Sequence, residues 1–257
     1  QAITGMPMRV TFVLPYAGLQ GGIKVIAVYA ERLRRRGHTV TVVSTPPEVT
    51  VRSRIKALLY EGSFAALRAE PSHFAGLDVE HLILDRIRDV RDEDVPDADV
   101  VVATYYTTAS GVLGLSARKG AKAIFIQNYE VQPGKPNPRL DETWRMPMHK
   151  ITISNWLVEL ARERFGDDAV SHVPNSVDLA QFNAPERSKN AVPTVGLLYN
   201  TFSLKGLDTS LRALKTMSSQ LPALHVVSFG AERPDFRLPL PRASEFHYRP
   251  QQDRLRD

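Results

Sequence analysis

Short apolar, β-branched runs alternate along the chain with longer stretches whose apolar residues recur at helical spacing. Met8–Pro15 (MRVTFVLP) suits a strand buried on both faces. It empties into Tyr16–Gly22 (YAGLQGG), with glycines at Gly18, Gly21 and Gly22. A helix follows, with Ile23, Ile26, Ala27, Ala30 and Leu33 on one face, arginines opposite, and Gly37 as its stop. Thr39–Ser44 is the next strand. This strand–helix–strand unit predicts an α/β fold built on a doubly wound parallel sheet.

Pro46 and Pro47 interrupt the pattern, and Arg52–Arg68 then reads as a helix with Gly62 as its weak point. Strands are predicted at Val79–Leu84, Asp99–Thr104 and Ala121–Gln127, with a helix from about Thr107 to Arg118 and a turn at Gly120. Asn128–Leu140 is a long proline-containing loop at the carboxyl end of a strand, the edge where open α/β sheets bind ligands. Lys150–Ser154 forms a strand, and Ser154 can cap a helix over Asn155–Phe165. Val170–Pro174 adds one more strand. Within Val173–Leu211 one α/β unit ends and another begins, across the polar linker Asn183–Ala191. The second unit carries strands Val192–Leu198, Ala223–Phe229 and Glu245–Tyr248 and a helix over Gly206–Ser218. Two domains are expected, 1–182 and 183–257, the second with about half the strand–helix repeats of a nucleotide-binding unit.

Apolar residues make up 43% of the 257, enough for a sizeable core. The lack of cysteine excludes disulfides and thiolate metal sites and fits a reducing cytoplasm. No window is apolar enough to span a bilayer, and Gln1–Met6 reads as a leader or remnant. The net charge of +5 is clustered at Arg32, Arg34, Arg35 and Arg36, then at Arg52, Arg54 and Lys56. Such clusters attract phosphates, although a solvated helix face has the same composition. No zinc-finger spacing, aromatic RNA-binding strand or long basic tail points to nucleic acid.

The first glycine loop has the spacing G-x-x-G-G rather than G-x-G-x-x-G. It lets backbone approach a ligand at a helix N-terminus, and many purely structural turns do the same. Lys205-Gly206 is a better phosphate site: it follows a strand, opens a helix and adds a point charge there, although a surface lysine would look alike. Asp92-Glu93-Asp94 and Asp97-Ala98-Asp99 have the look of a D-x-D metal motif. They precede a strand, away from the ligand edge, and read as solvated turn carboxylates and a strand cap. The seven histidines lack paired-ligand spacing, so no metal site is expected, and no G-x-S-x-G element supplies a serine nucleophile.

As a set, these pieces resemble the GT-B glycosyltransferases, and within them family 4 (group 1). VTFVLPYAGLQGGIKVIAVYAERLRRRGHTVTVVS resembles the family's opening strand, glycine loop and helix. FIQNYE with the following proline loop and KITISNWL resembles a rhamnosyltransferase-like branch. VPNSVDLAQF corresponds to P-N-G-V-D…F with Ser176 in place of glycine, VGLLYNTFSLKGLDTSLRAL to V-G-R-L…K-G, and SFGAERP and FHYRPQQDRL to later strands. The resemblance implies two Rossmann-like domains facing a cleft, the first for the acceptor and the second for a nucleotide diphosphate sugar. Transfer would proceed with retention and without metal or cofactor. Lys205 and Gly206 would hold the donor diphosphate, where negative charge develops, and Gly21 and Gly22 would close over it. Gln127, Asn128, Tyr129 and Glu130 would line the acceptor or sugar side, and Asn175 would hold the interdomain turn.

Leu197 stands where the family has a phosphate-binding arginine. The family's paired glutamates would lie beyond Asp257, and Glu232 and Glu245 have the wrong spacing for them. A truncated second domain is therefore expected. The acceptor would be a polysaccharide, a glycolipid or other lipid-linked glycan, or a small metabolite. The enzyme would be cytoplasmic, with its basic helices suited to the inner face of a membrane. A sugar-nucleotide epimerase of the same fold is a second reading, which the P-N-S-V-D and K-G pair argues against. A non-catalytic binding module is a third, if the natural chain ends at Asp257.

Overall fold

The computed structural model describes residues 6–47, 72–129, 137–180, 182–183 and 188–250. The helix expected over Arg52–Arg68 and the site candidate Glu130 lie outside them. The chain divides into two compact units, Gln1–Asn175 and Ser176–Asp257, where the sequence suggested a division at 182/183.

The first unit contains strands β1 (Arg9–Leu14), β2 (Thr39–Ser44), β3 (Glu80–Ile83), β4 (Val100–Ala103), β5 (Ala121–Ile126), β6 (His149–Thr152) and β7 (Ser171–His172). They pair in parallel throughout, in the order β3-β2-β1-β4-β5-β6-β7. Its helices are α1 (Gly21–Arg35), α2 (Tyr106–Leu113), α3 (Pro138–Arg145) and α4 (Asn155–Phe165). The β-branched runs form strands because both faces of the sheet are covered, and each strand divides its side chains between them. On one face Phe12, Leu14, Val102, Ala123 and Phe125 pack with Ile23, Ile26, Ala27 and Ala30 of α1. On the other, Val13, Val101, Ala103, Ile124 and Ile126 pack with Val112, Trp144, Leu157 and Ala161 of the three later helices. Each fully buried valine, leucine or isoleucine side chain contributes about 1.5–3 kcal/mol.

Several local outcomes differ from the sequence pattern. The helix expected to reach Arg118 stops at Leu113, with Gly114 as its cap, and a separate turn forms over Ala117–Lys119. The expected loop Asn128–Leu140 ends in a helix, α3. Asn137 accepts a hydrogen bond from the Arg139 N–H at 3.2 Å, and Pro138 occupies the first turn. Ser154 holds the N-cap position of α4 in an extended conformation, yet its hydroxyl makes no cap bond and is buried without a partner among the described residues. α4 closes instead through Gly166 in the left-handed region, with the Asp167 N–H donating to the Ala161 carbonyl at 3.1 Å. Two of the α1 arginines are neutralised, Arg34 by Asp78 and Arg35 by Glu31.

The second unit has parallel strands β8 (Thr194–Leu198), β9 (His225–Gly230) and β10 (Ser244–Tyr248) in the order β10-β9-β8, with helix α5 (Leu207–Gln220). Leu214, Leu224 and Val226 form its centre, with Val195 and Leu197 packed against them. The buried Tyr199 hydroxyl donates to the Leu238 carbonyl at 3.0 Å and accepts from the Asp235 N–H at 2.9 Å, anchoring the segment after β9.

Gly120 has φ +83°, and a Cβ there would meet the Asp99 carbonyl at 2.4 Å. The Ala121 N–H donates to that carbonyl at 2.9 Å, which starts the β4–β5 pairing. Gly120→Ala is expected to destabilise the protein by roughly 2–3 kcal/mol, read as a lower urea midpoint with unchanged slope. An unchanged midpoint would show that the turn relaxes freely.

Candidate functional site

In the first unit's sheet the strand order reverses between β1 and β4. From β1 the chain crosses outward to β2 through α1 on one face; from β4 it crosses to β5 through α2 on the other. The loops leaving β1 and β4 therefore diverge, and a crevice opens outside their carboxyl ends. A cavity of about 390 Å³ occupies it. Its walls are side-chain carbon from Ile23 and Ile26 of α1, Ile124 and Phe125 of β5, and Leu140 and Trp144 of α3. Polar groups gather at Gln20, Gln127 and Asn128 and along Thr104-Tyr105-Tyr106.

Hydrogen bonds fix this polar rim. Gln127 follows β5, and its Nε2 donates to the Gly22 carbonyl at 3.0 Å, tying the exit of β5 to the start of α1. A Cβ at Gly22 would lie 3.2 Å from that nitrogen, so glycine permits the approach. Asn128 Oδ1 accepts the Tyr129 N–H at 2.9 Å. The Thr104 hydroxyl donates to the Val13 carbonyl at 3.0 Å, and the Thr108 hydroxyl donates to the Tyr105 carbonyl at 2.9 Å, which holds the entry to α2. The rings of Tyr105 and Tyr106 lie 4.5 Å apart.

Of the residues expected on the acceptor side, Gln127 and Asn128 line the cavity, and they are joined there by Gly22, expected for phosphate. Gly21 is exposed as the first residue of α1, outside the lining. Tyr129 engages α3 and α4: its hydroxyl donates to Asp141, which accepts from Arg164 at 2.8 Å. The Arg164 guanidinium sits 5.3 Å from the Tyr129 ring. Burial, then the Asp141 carboxylate, pushes the Tyr129 phenol up; the Tyr129 hydroxyl and Arg164 hold Asp141 down. Trp144 stacks on Phe165 with centroids 5.4 Å apart, which sets the cavity's α3 wall. The sequence pattern missed Thr104–Tyr106 and Trp144. Their signal was a position just past a buried strand beside β1, and an Asn-Pro helix start.

In the second unit, a turn over Ser203–Lys205 leads to Gly206, whose φ of 64° lets the chain enter α5. The Lys205 side chain is exposed, and no carboxylate among the described residues pairs with it. No side chain caps the first N–H groups of α5; Asp208 lies in its first turn, 3.6 Å from Arg212. Glu232 accepts from the Thr201 hydroxyl at 2.5 Å, and Glu245 lies 3.0 Å from His247.

The aspartates preceding β4 form a strap at the amino edge of the sheet. Asp94 pairs with Arg88 and accepts the Arg91 N–H at 2.8 Å; Asp92 accepts the Ser116 N–H at 2.9 Å. Asp97 binds Lys119 at 2.9 Å and Arg118 at 2.8 Å, and Asp99 caps β1 through the Arg9 N–H and guanidinium. Among the described residues no group of histidines and carboxylates is arranged to hold a metal ion, and no helix is long and apolar enough to cross a membrane.

No family of known proteins matches the chain by sequence, and no curated protein does. Solved structures match it by fold. TarM superposes with a TM-score of 0.67 at 9% identity, over 98% of this chain and 78% of that one. The catalytic domain of starch synthase IV from Arabidopsis thaliana, bound to ADP and acarbose, gives 0.54 at 10% identity over 97% and 76%. An alpha-glucosyltransferase in complex with UDP and a 13-mer DNA containing a HMU base gives 0.53 at 15% identity over 89% of this chain. The chain spans 58% of that protein's length. The fold is the Rossmann-like α/β fold of GT-B glycosyltransferases.

The Lys119 and Arg118 hydrogen bonds hold the Asp97 carboxyl down to about 2, against about 3.9 for a free aspartate. A depressed folded-state value means that the pair stabilises the protein above about pH 4 and that this contribution fades as pH falls toward 2. Asp97→Asn should lower the urea midpoint at neutral pH and flatten its decline between about pH 4 and 2. An acid limb of unchanged steepness would remove Asp97 from the strap.

Proposed function

We propose that the chain belongs to a nucleotide-sugar glycosyltransferase of the family 4 type, working with retention at the anomeric carbon and without metal or cofactor. The observation that carries this reading is the fold likeness, over nearly the whole chain, to an ADP-bound starch synthase and a UDP-bound glucosyltransferase. The acceptor is a polysaccharide, glycolipid or small metabolite, bound in the first unit's cavity at Gln127 and Asn128. In the reaction an acceptor hydroxyl oxygen bonds to the anomeric carbon. The bond from that carbon to the donor phosphate breaks, its electron pair leaves with the nucleoside diphosphate, and the hydroxyl proton passes to the departing phosphate and then to solvent.

The leaving diphosphate needs positive charge beside it. Lys205 offers a cation with no carboxylate partner among the described residues, and Gly206 leads into the first N–H groups of α5, at the carboxyl end of a strand. Gly21 and Gly22 give the start of α1 the same N–H character. The positive net charge supports peripheral contact with an anionic membrane on the cytoplasmic side.

A thermal-shift screen of UDP-, ADP-, GDP- and dTDP-sugars is expected to find a stabilising donor. Lys205→Ala should weaken it about tenfold to a hundredfold, the worth of a charge-assisted hydrogen bond. Unchanged affinity removes Lys205 from the site. Stabilisation by no donor, with no transfer, overturns the transferase reading; donor binding without transfer to any acceptor favours a binding module. Vesicles containing phosphatidylserine should co-sediment with the protein at low salt and release it at high salt. An absence of pelleting at low salt excludes the membrane contact.

A further inference from the structure

We infer that the first unit's cavity takes a neutral acceptor that inserts an aromatic ring between α1 and α3 and leaves a hydroxyl at the mouth. The inference rests on the transferase reading and names the class of its acceptor.

Three observations on the cavity converge. First, none of the described residues lining it is charged, in a chain where 24% of residues are. A phosphate or carboxylate entering it past the α1 N-terminus would lose hydration and gain no charged side chain, and a bare hexose would bury several hydroxyls against side-chain carbon. Second, the walls are buried apolar groups held in place by packing: Ile26 is 0% exposed, Ile124 1% and Trp144 2%. Phe125 and Trp144 contribute aromatic surface, and the Tyr105–Tyr106 pair stands at the opening, a setting that favours ring-on-ring contacts over a flexible chain. The volume, about 390 Å³, lies in the lower part of the range for small-molecule sites.

Third, the polar groups beside the apolar walls are only part-used, which leaves both donor and acceptor capacity on Gln127 and Asn128. Gln127 donates one Nε2 N–H to the Gly22 carbonyl, which leaves Oε1 as an acceptor. Asn128 spends its Oδ1 on the Tyr129 N–H, leaving Nδ2 as a donor. Among the described residues neither remaining atom has a partner. A hydroxyl has the complementary chemistry, a donor for Gln127 and an acceptor for Asn128. That hydroxyl is the oxygen to be glycosylated.

Isothermal titration of the whole chain with 2-naphthol, 1-octanol and maltose tests this without a donor present. Saturable one-to-one binding of 2-naphthol is expected, at least tenfold tighter than either of the others. Asn128→Asp, an isosteric change at an exposed position that removes the donor, should weaken 2-naphthol about fivefold to tenfold. Equal or tighter binding of 1-octanol or maltose, non-saturable 2-naphthol binding, or an affinity indifferent to Asn128→Asp in a folded variant overturns the inference. Should the variant fail to fold, the ranking by the wild-type protein decides. Donor binding with no 2-naphthol binding sinks the acceptor class alone, whereas 2-naphthol binding with no donor bound or sugar transferred sinks the transferase reading.

Discussion

The pairing of β1 with β4 is the constraint on which the first unit depends. Val10–Val13 lie against Val100–Ala103 in parallel, so neither strand can be joined to the other by a hairpin. Each must be left through a crossover, and a parallel sheet is stable only with both faces covered. The two crossovers satisfy that by departing to opposite faces. The crevice between their first turns is thus a consequence of covering the sheet. The Thr104 hydroxyl on the Val13 carbonyl and the Gln127 amide on the Gly22 carbonyl close its base and one side, with partners far apart in sequence. The cavity is built by the same contacts that hold the sheet.

Charge is distributed to complement this. The carboxylates that precede β4 are spent at the opposite edge, on Arg88, Arg9, Arg118 and Lys119, where they fasten strand entries and turns. Asp141 and Arg164 are spent on fixing Tyr129 behind the cavity rather than in it. The lining is left with amides, hydroxyls and apolar surface.

The strands were legible because a strand buried on both faces is dominated by apolar and β-branched residues, as RVTFVL, TVTVVS, VVVA and AKAIFI are. The amphipathic helices α1 and α4 were legible from spacing. What the sequence hid depends on tertiary context. α3 was masked by its prolines, although Asn137-Pro138 is a helix start once the following Leu140, Thr143 and Trp144 have a surface to bury against. Ser154 has the residue type of a cap and the position of one, but its hydroxyl stays out of the bond. Tyr129 shares its stretch with Gln127 and Asn128, and only the Asp141–Arg164 pair decides that it turns toward the helices. The cavity as a whole needs strand order, since residues after β1, β4 and β5 meet only because those strands are neighbours.

Leu197 illustrates how packing constrains the chemistry of the second unit. It lies mid-β8 on the face covered by α5, packed against Leu214, Leu224 and Val226, and its carbonyl accepts the buried Ser228 hydroxyl at 3.1 Å. Leucine fills this partly buried position with carbon alone, where an arginine would have to extend its guanidinium past the cluster to reach solvent. The positive charge at this edge of the second unit lies beyond the strand, where the backbone has turned clear of the core. Lys205 is placed there, after the Ser203–Lys205 turn and before the left-handed Gly206. The apolar residue within β8 and the exposed lysine after it divide two roles: the strand keeps its core contact and the following loop carries a positive charge.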